Sequence, residues 1–294
     1  MSVTAFAPAK VNLYLHVASP DAVGMHPLSS LMVFADVGDR LSLEPSDVLS
    51  LTSVGPFGAA LPASDDNLVL RAARGLLALP GGAAEAGAFR LVLDKQLPIA
   101  SGLGGGSSDA GAALRLVRDV VRPDLSDAAL TEVAGQLGSD GPACLFALPV
   151  IAEGRGERLS AAPVLPPLDA VLVNPGVPSP TGEVYRRLDA MRPHGEADRP
   201  ATPAHFADGR AVAQWLSGLR NDLEAPAVAI NPVVGEALAA LADGGARLAR
   251  VSGSGATCFA LCADAAAAAS LAARVASAHP RWWVRPCRLG GPWT

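Results

Sequence analysis

Residues 3–18 alternate between apolar and polar side chains. Val11, Leu13, Leu15 and Val17 fall on one face, with Lys10, Asn12, Tyr14 and His16 on the other. A period of two predicts a half-buried strand carrying a polar row. Shorter strand-like runs follow at SLMVFADV (30–37), DRLSLEP (39–45) and FRLVLDKQL (89–97). Elsewhere the period lengthens. DNLVLRAARGLLAL (66–79) predicts a helix with Asp65 or Asp66 as its cap. SSDAGAALRLVRDVV (107–121) predicts a second, with Leu114, Val117 and Val121 at helical spacing. In SDAALTEVAGQL (126–137) Leu130, Val133, Ala134 and Leu137 share one stripe, Ser126 is placed to cap its start and Gly138 to stop it.

Proline then becomes frequent, over 161–182 and again over 192–204, which suits connecting loops and places a domain boundary near 150–165. Beyond it the pattern predicts a strand at 169–173, a short helix at 182–191 and another at about 208–218. NDLEAPAVAINPVVGEALAAL (221–241) holds one or two helices split at Pro232. ARLARV, a glycine turn, ATCFALC, an Ala-rich helix (264–278) and WWVRPCRL close the chain. Helices segregated onto an antiparallel sheet in each half give an α+β class.

Composition narrows the function classes. The 294 residues are 50% hydrophobic, enough for one large domain or two medium ones. Twenty-eight acids against 23 bases leave a net charge of −5, with no Lys/Arg run, which disfavours a nucleic-acid partner. An anionic ligand must therefore be held by local groups. The start of the chain has no signal-peptide pattern, and no 18-residue apolar span suggests a membrane helix. The four cysteines form no CxxC pair and have no His at zinc spacing, so they are expected to be reduced and the compartment cytoplasmic. Only two of the basic residues are lysine, Lys10 and Lys95, and only Tyr14 and Tyr185 are tyrosine. A chain that uses arginine almost everywhere keeps lysine where a compact ammonium is needed.

The sequence's main chemical signal is PIASGLGGGSSD (98–109), which runs from a predicted strand into a predicted helix. A helix N-terminus offers unpaired N–H groups and a positive dipole end. Bare glycine backbone lets phosphate oxygens reach several amides at once, and the hydroxyls of Ser107 and Ser108 can add contacts to phosphate or metal. A Walker loop needs GK followed by Ser or Thr, and no lysine occurs here. The dinucleotide fingerprint fails because Ser107 stands where its third glycine belongs, and the protein-kinase motifs are absent.

The pattern P-x-x-x-G-L-G-G-G-S-S-D resembles the second motif of the GHMP family of small-molecule kinases. PAKVNLYLHV (8–17) is similar to the family's first motif and VSGSGATCFAL (251–261) to its third, in the same order and spacing across the whole chain. GLGGGSS narrows the resemblance to a branch whose substrate is a methylerythritol carrying a cytidine diphosphate group, in the non-mevalonate route to isoprenoid precursors. The resemblance implies an N-terminal domain of ribosomal-S5-like type (1–160), a ferredoxin-like C-terminal domain (161–294) and an active site in the cleft. It further implies ATP with Mg2+ and phosphoryl transfer to the 2-hydroxyl; no residue is assigned as a metal ligand, and neither a membrane nor a nucleic-acid partner is expected.

Site residues carry over position by position. The loop Pro98, Ile99, Ala100, Ser101, Gly102, Leu103, Gly104, Gly105, Gly106, Ser107 and Ser108 matches the ATP-binding segment. Asp140, in GQLGSDGPACLF, matches the catalytic aspartate that accepts the hydroxyl proton, and Lys10 the lysine that orients the hydroxyl and balances developing charge. Asn12 matches a contact to the erythritol, His26 the residue that reads the cytosine edge, and Thr181 and Tyr185 the region flanking the cytidine. Where the family pattern is DGYH this chain has VGMH (23–26), so Met25 replaces an aromatic that stacks on the base. Local sequence leaves plainer roles open: Asp140 as a helix cap, Lys10 as a solvated strand charge, SGSG (252–255) as an ordinary turn, His26 as a surface or core residue. Two other functions also remain open, a GHMP kinase for a smaller alcohol such as homoserine or mevalonate and a nucleotide-binding protein without catalysis.

Overall fold

A computed structural model describes residues 3–61, 66–81, 89–191 and 197–293. The strands are β1 (Val3–Val17), β2 (Leu28–Pro45), β3 (Ser50–Val54), β4 (Phe89–Asp94), β5 (Val150–Gly154), β6 (Arg158–Ala161), β7 (Leu168–Asn174), β8 (Leu248–Val251), β9 (Cys258–Leu261) and β10 (Trp283–Gly290). The helices are α1 (Leu68–Leu77), α2 (Gly105–Val121), α3 (Asp127–Leu137), α4 (Gly141–Phe146), α5 (Thr181–Met191), α6 (Gly209–Ser217), α7 (Glu224–Ile230), α8 (Pro232–Asp243) and α9 (Ala265–Ala278).

The two sheets expected of an α+β chain are joined into one. Its order is β3-β4-β2-β10-β7-β9-β8, antiparallel except for β3 beside β4, and β1 and β5 also pair with β2. The predicted strands 30–37 and 39–45 are a single long β2, whose successive segments pair with β1, β5, β10 and β4. The last strand returns from the C-terminal half and sets Leu289 and Gly290 against Ala35 and Phe34.

Strand β1 departs from the half-buried expectation, because residues 7–17 are buried on both faces. Its edge away from β2 is occupied in two places. Lys10 N donates to Leu103 O at 2.8 Å, and farther along Leu15 N donates to Arg220 O at 2.9 Å. The glycine loop is thus bonded directly to the strand that carries Lys10 and Asn12.

Helix α2 begins at Gly105, two residues before the predicted start. Gly104, left-handed at φ 61°, supplies the turn that lets the helix begin inside the loop. Helix α1 is capped by Asn67, whose Oδ1 accepts from Val69 N at 2.9 Å, rather than by Asp66; Asp65 lies outside the described residues. Ser126 caps α3 as its sequence predicts, accepting from Ala129 N. Helices α1, α2 and α3 bury an apolar cluster with β4, and α8 and α9 bury another with β7 and β9. The four cysteines are free. Among the described residues no helix is long and apolar enough to cross a membrane.

Candidate active site

A cleft of about 1070 Å³ runs between the glycine loop, the polar row of β1, the start of α4 and the N-terminus of α5. A volume at the upper end of the range for small-molecule sites has room for two sizeable ligands.

Lys10 is 5% exposed at the cleft floor. Its ammonium donates to Asn12 Oδ1 at 2.8 Å and lies 3.1 Å from Asp140 Oδ2. Asn12 is itself fixed, donating through Nδ2 to Ser30 Oγ at 2.7 Å, and Ser30 Oγ donates to Tyr14 O at 2.6 Å. Asp140 occupies the cap position of α4, but its side chain makes no capping hydrogen bond. Its carboxylate faces Lys10 and is 31% exposed, open to a ligand in the cleft. The capping role left open by the sequence is not the one this geometry serves.

The loop meets the third motif along its length. Ser252 Oγ donates to Gly102 O at 3.0 Å, and Thr257 N to Ser101 O at 3.0 Å. A Cβ on Gly102 would lie 2.3 Å from Ser252 O, so only glycine permits this contact. SGSG is therefore a turn that also braces the loop. All of the loop lines the cleft except Leu103 and Ser108. Leu103 is buried in the core. Ser108, expected to offer a hydroxyl to phosphate or metal, instead donates to Pro8 O at 2.7 Å. Its position in the first turns of α2 aims it at β1, which leaves Ser101 and Ser107 as the loop serines that line the cleft.

Met25, His26, Thr181 and Tyr185 line the same cavity. The His26 and Tyr185 rings lie 5.0 Å apart, tilted by 41°. His26 Nδ1 bonds to Ala18 O at 2.9 Å, and its Nε2 is 3.5 Å from Asp189 Oδ1. Met25 is 47% exposed in the cleft wall. Asp21 holds this loop, accepting from Met25 N at 2.9 Å and Val23 N at 3.0 Å, and the Met25 hydrogen bond, helped by the Arg155 guanidinium, keeps its carboxyl below the usual range. Burial pushes the Tyr185 phenol up to about 12, so it stays protonated.

Residues 67–147 match the family description GHMP kinases N terminal domain, and residues 206–281 match GHMP kinases C terminal. The chain belongs to the GHMP kinases. A 4-diphosphocytidyl-2-C-methyl-D-erythritol kinase of Caulobacter sp. (strain K31) is 60% identical, covering 99% of this chain and all of that protein. One of Methylobacterium radiotolerans is 51% identical over 96% of this chain and 97% of the relative. Among solved structures, a 4-(cytidine 5'-diphospho)-2C-methyl-D-erythritol kinase superposes with a TM-score of 0.77 at 33% identity, covering 99% of this chain and 100% of that one. The mixed sheet and its helices are the GHMP kinase fold.

Several cleft residues escaped the sequence reading. Leu61, Asp66, Asn67, Leu68 and Val69 form the end beyond the glycine loop. A helix start in this stretch was expected, though with its cap on Asp65 or Asp66 and not Asn67, and nothing in the sequence brought it to the glycine loop. Arg155 and Arg186 line the cleft, Arg155 paired with Asp21 at 3.0 Å. Lys95 and Asp109 lie in the floor beneath the loop.

Proposed function

We propose that the protein transfers the γ-phosphoryl group of ATP to the 2-hydroxyl of 4-diphosphocytidyl-2-C-methyl-D-erythritol, a cytoplasmic step of the non-mevalonate route to isoprenoid precursors. The observation that carries this reading is the Lys10–Asp140 contact of 3.1 Å, placed at the foot of a glycine loop and facing a cleft with room for two ligands. The relatives' names supply the acceptor.

The glycine loop and the N-terminus of α2 receive the triphosphate, with the nucleoside toward Asn67 and Leu68. The cytidine end of the acceptor lies toward His26 and Tyr185, its erythritol toward Asn12. Asp140 accepts the proton as the hydroxyl oxygen bonds to the γ-phosphorus and the bond to the β–γ bridging oxygen breaks, releasing ADP. Lys10 holds the hydroxyl and balances the charge that develops on the phosphoryl oxygens. Among the described residues no group of three or more His, Cys, Asp or Glu side chains could hold a metal. Mg2+ is commonly bound largely by substrate phosphates and water. Mg2+ would supply charge neutralisation there, and the Ser107 hydroxyl is the loop group that would hold it. The division into residues 1–160 and 161–294 belongs to the same proposal, and one family match falls in each part.

ADP release measured with the cytidyl alcohol, homoserine, mevalonate and galactose tests the reading. Turnover with the first alone is expected; preference for any other acceptor overturns the assignment, and no release with any of them overturns catalysis. A second expectation concerns Met25. We place the cytosine between the Met25 thioether and the Tyr185 ring. A sulfur–aromatic contact contributes about 0.3–1.5 kcal/mol against about 1–3 for stacking on an aromatic side chain. Met25→Tyr should therefore tighten acceptor binding by about 1 kcal/mol, several-fold in Kd, with little change in turnover. Calorimetry with the acceptor checks this; a shift below about twofold would place the base elsewhere.

A further inference from the structure

Beneath the glycine loop lies a buried cluster of three charges for which phosphoryl transfer has no direct use. Lys95 Nζ donates to Asp39 Oδ2 at 2.5 Å and to Asp109 Oδ2 at 2.6 Å, and all three residues are at most 3% exposed. Asp39 also accepts from two consecutive amides through Oδ1, Gln96 N at 2.6 Å and Leu97 N at 2.8 Å. These amides immediately precede the loop, and Asp109 immediately follows it. One ammonium therefore ties the two stems of the loop together. The position of a Cβ on Gly105 is 3.0 Å from Lys95 Nζ, so a side chain on the first residue of α2 would crowd the ammonium beneath it.

We propose that Lys95, Asp39 and Asp109 form a staple across the stems of the glycine loop, holding it in the shape that receives the triphosphate, and that Lys95 and Asp109 are positioning residues of the nucleotide site. Two further observations agree. Asp109 Oδ1 is buried without a hydrogen-bond partner, and it is Oδ2 that receives the Lys95 ammonium at the exit of the loop. Burial pushes the Asp109 carboxyl well up against the pull of the Lys95 ammonium, and the nearby Asp39 carboxylate adds to the rise, in keeping with three ionisable groups packed into one buried spot. Burial opposes the Lys95 charge, but Asp109 and Asp39 together outweigh it and raise its pKa, so the ammonium persists.

The test uses two variants of the full chain. Asp109→Ala removes the exit half of the staple and leaves Lys95 on Asp39. Asp109→Asn keeps an acceptor oxygen for the ammonium. Asp109→Ala should raise the KM for ATP by about tenfold or more and that for the alcohol acceptor by less than about twofold, and Asp109→Asn should recover most of that loss. Without nucleotide, amide hydrogen exchange over 98–108 should quicken about tenfold in Asp109→Ala, while exchange in α9 is unchanged. Equal rises in both KM values, an unchanged KM for ATP, unchanged loop exchange, or an Asp109→Asn variant as impaired as Asp109→Ala would each overturn the proposal. Should Asp109→Ala not fold, Asp109→Ser, whose hydroxyl falls short of the ammonium, is read by the same measurements. The kinetic arm rests on the phosphoryl-transfer reading and the exchange arm does not. Wild-type protein that releases no ADP would sink that reading while loop exchange still decides the staple.

Discussion

Asp140→Asn is expected to lower turnover by about 10²–10⁴-fold, the usual range for loss of a general base, and to leave ATP affinity nearly intact. The substitution is close to isosteric. The side chain makes no capping bond to α4, so the helix loses nothing when the carboxylate becomes an amide. What changes is chemical, because an amide cannot take the hydroxyl proton. The geometry supports this separation: Asp140 is open to the cleft and touches Lys10, while the loop is braced by Ser252 and Thr257 from another part of the chain. Steady-state kinetics with nucleotide-binding calorimetry checks both halves. A variant that keeps more than about a third of wild-type turnover would remove Asp140 from the chemistry.

How much of this was legible in the sequence depends on the range of the interactions. Helix α3 could be read because its signals are local, with Ser126 capping Ala129 N and an apolar stripe behind it. Strands β3, β5 and β6 were missed. The joining of the halves through Leu289 and Ala35 could not be read at all, since that register is set by residues over 250 positions apart and not by local pattern. The site follows the same division. Lys10 and Asn12 stood out because they share one face of a strand, yet the burial of both faces depends on what packs there. Lys95 stood out by lysine scarcity but acquired a role only when Asp39, 56 positions away, was found beside it.

The glycines give a second lesson. Read locally, their density meant close approach of phosphate, and the cleft they line remains suited to that. The structure adds contacts within the protein. Gly102 must be bare for Ser252 O, a side chain on Gly105 would crowd the Lys95 ammonium, and one on Gly104 would crowd Lys10, whose Cε would lie 3.0 Å from an added Cβ. The composition that signals a phosphate site therefore also seats the loop on two lysines and the third motif.

That packing sharpens what is expected of Lys10. Lys10→Arg keeps the charge, so an electrostatic role alone would leave most activity in place. The site is not built for charge alone. The ammonium has three donors; one goes to Asn12 Oδ1 at 2.8 Å, and Asp140 Oδ2 lies 3.1 Å away, which leaves a third for the acceptor hydroxyl or the phosphoryl group. A planar guanidinium is longer, presents its donors in one plane, and has to pass Gly104, whose absent Cβ already marks contact distance to the Lys10 stem. Loss of one preorganised donor to a developing oxyanion costs about 10²–10³ in turnover, and a loss of at least that size is expected here. Because the longer side chain pushes on the loop, the KM for ATP should rise as well, unlike in Asp140→Asn. Lys10→Met, which removes the charge but fits the space, should spare the KM for ATP and abolish turnover more completely. Comparing kcat and the two KM values across these variants decides between the roles. Near-normal turnover in Lys10→Arg would reduce Lys10 to a generic positive charge, and a KM for ATP unchanged there but raised in Lys10→Met would mean that the ammonium binds the nucleotide instead of aligning the acceptor.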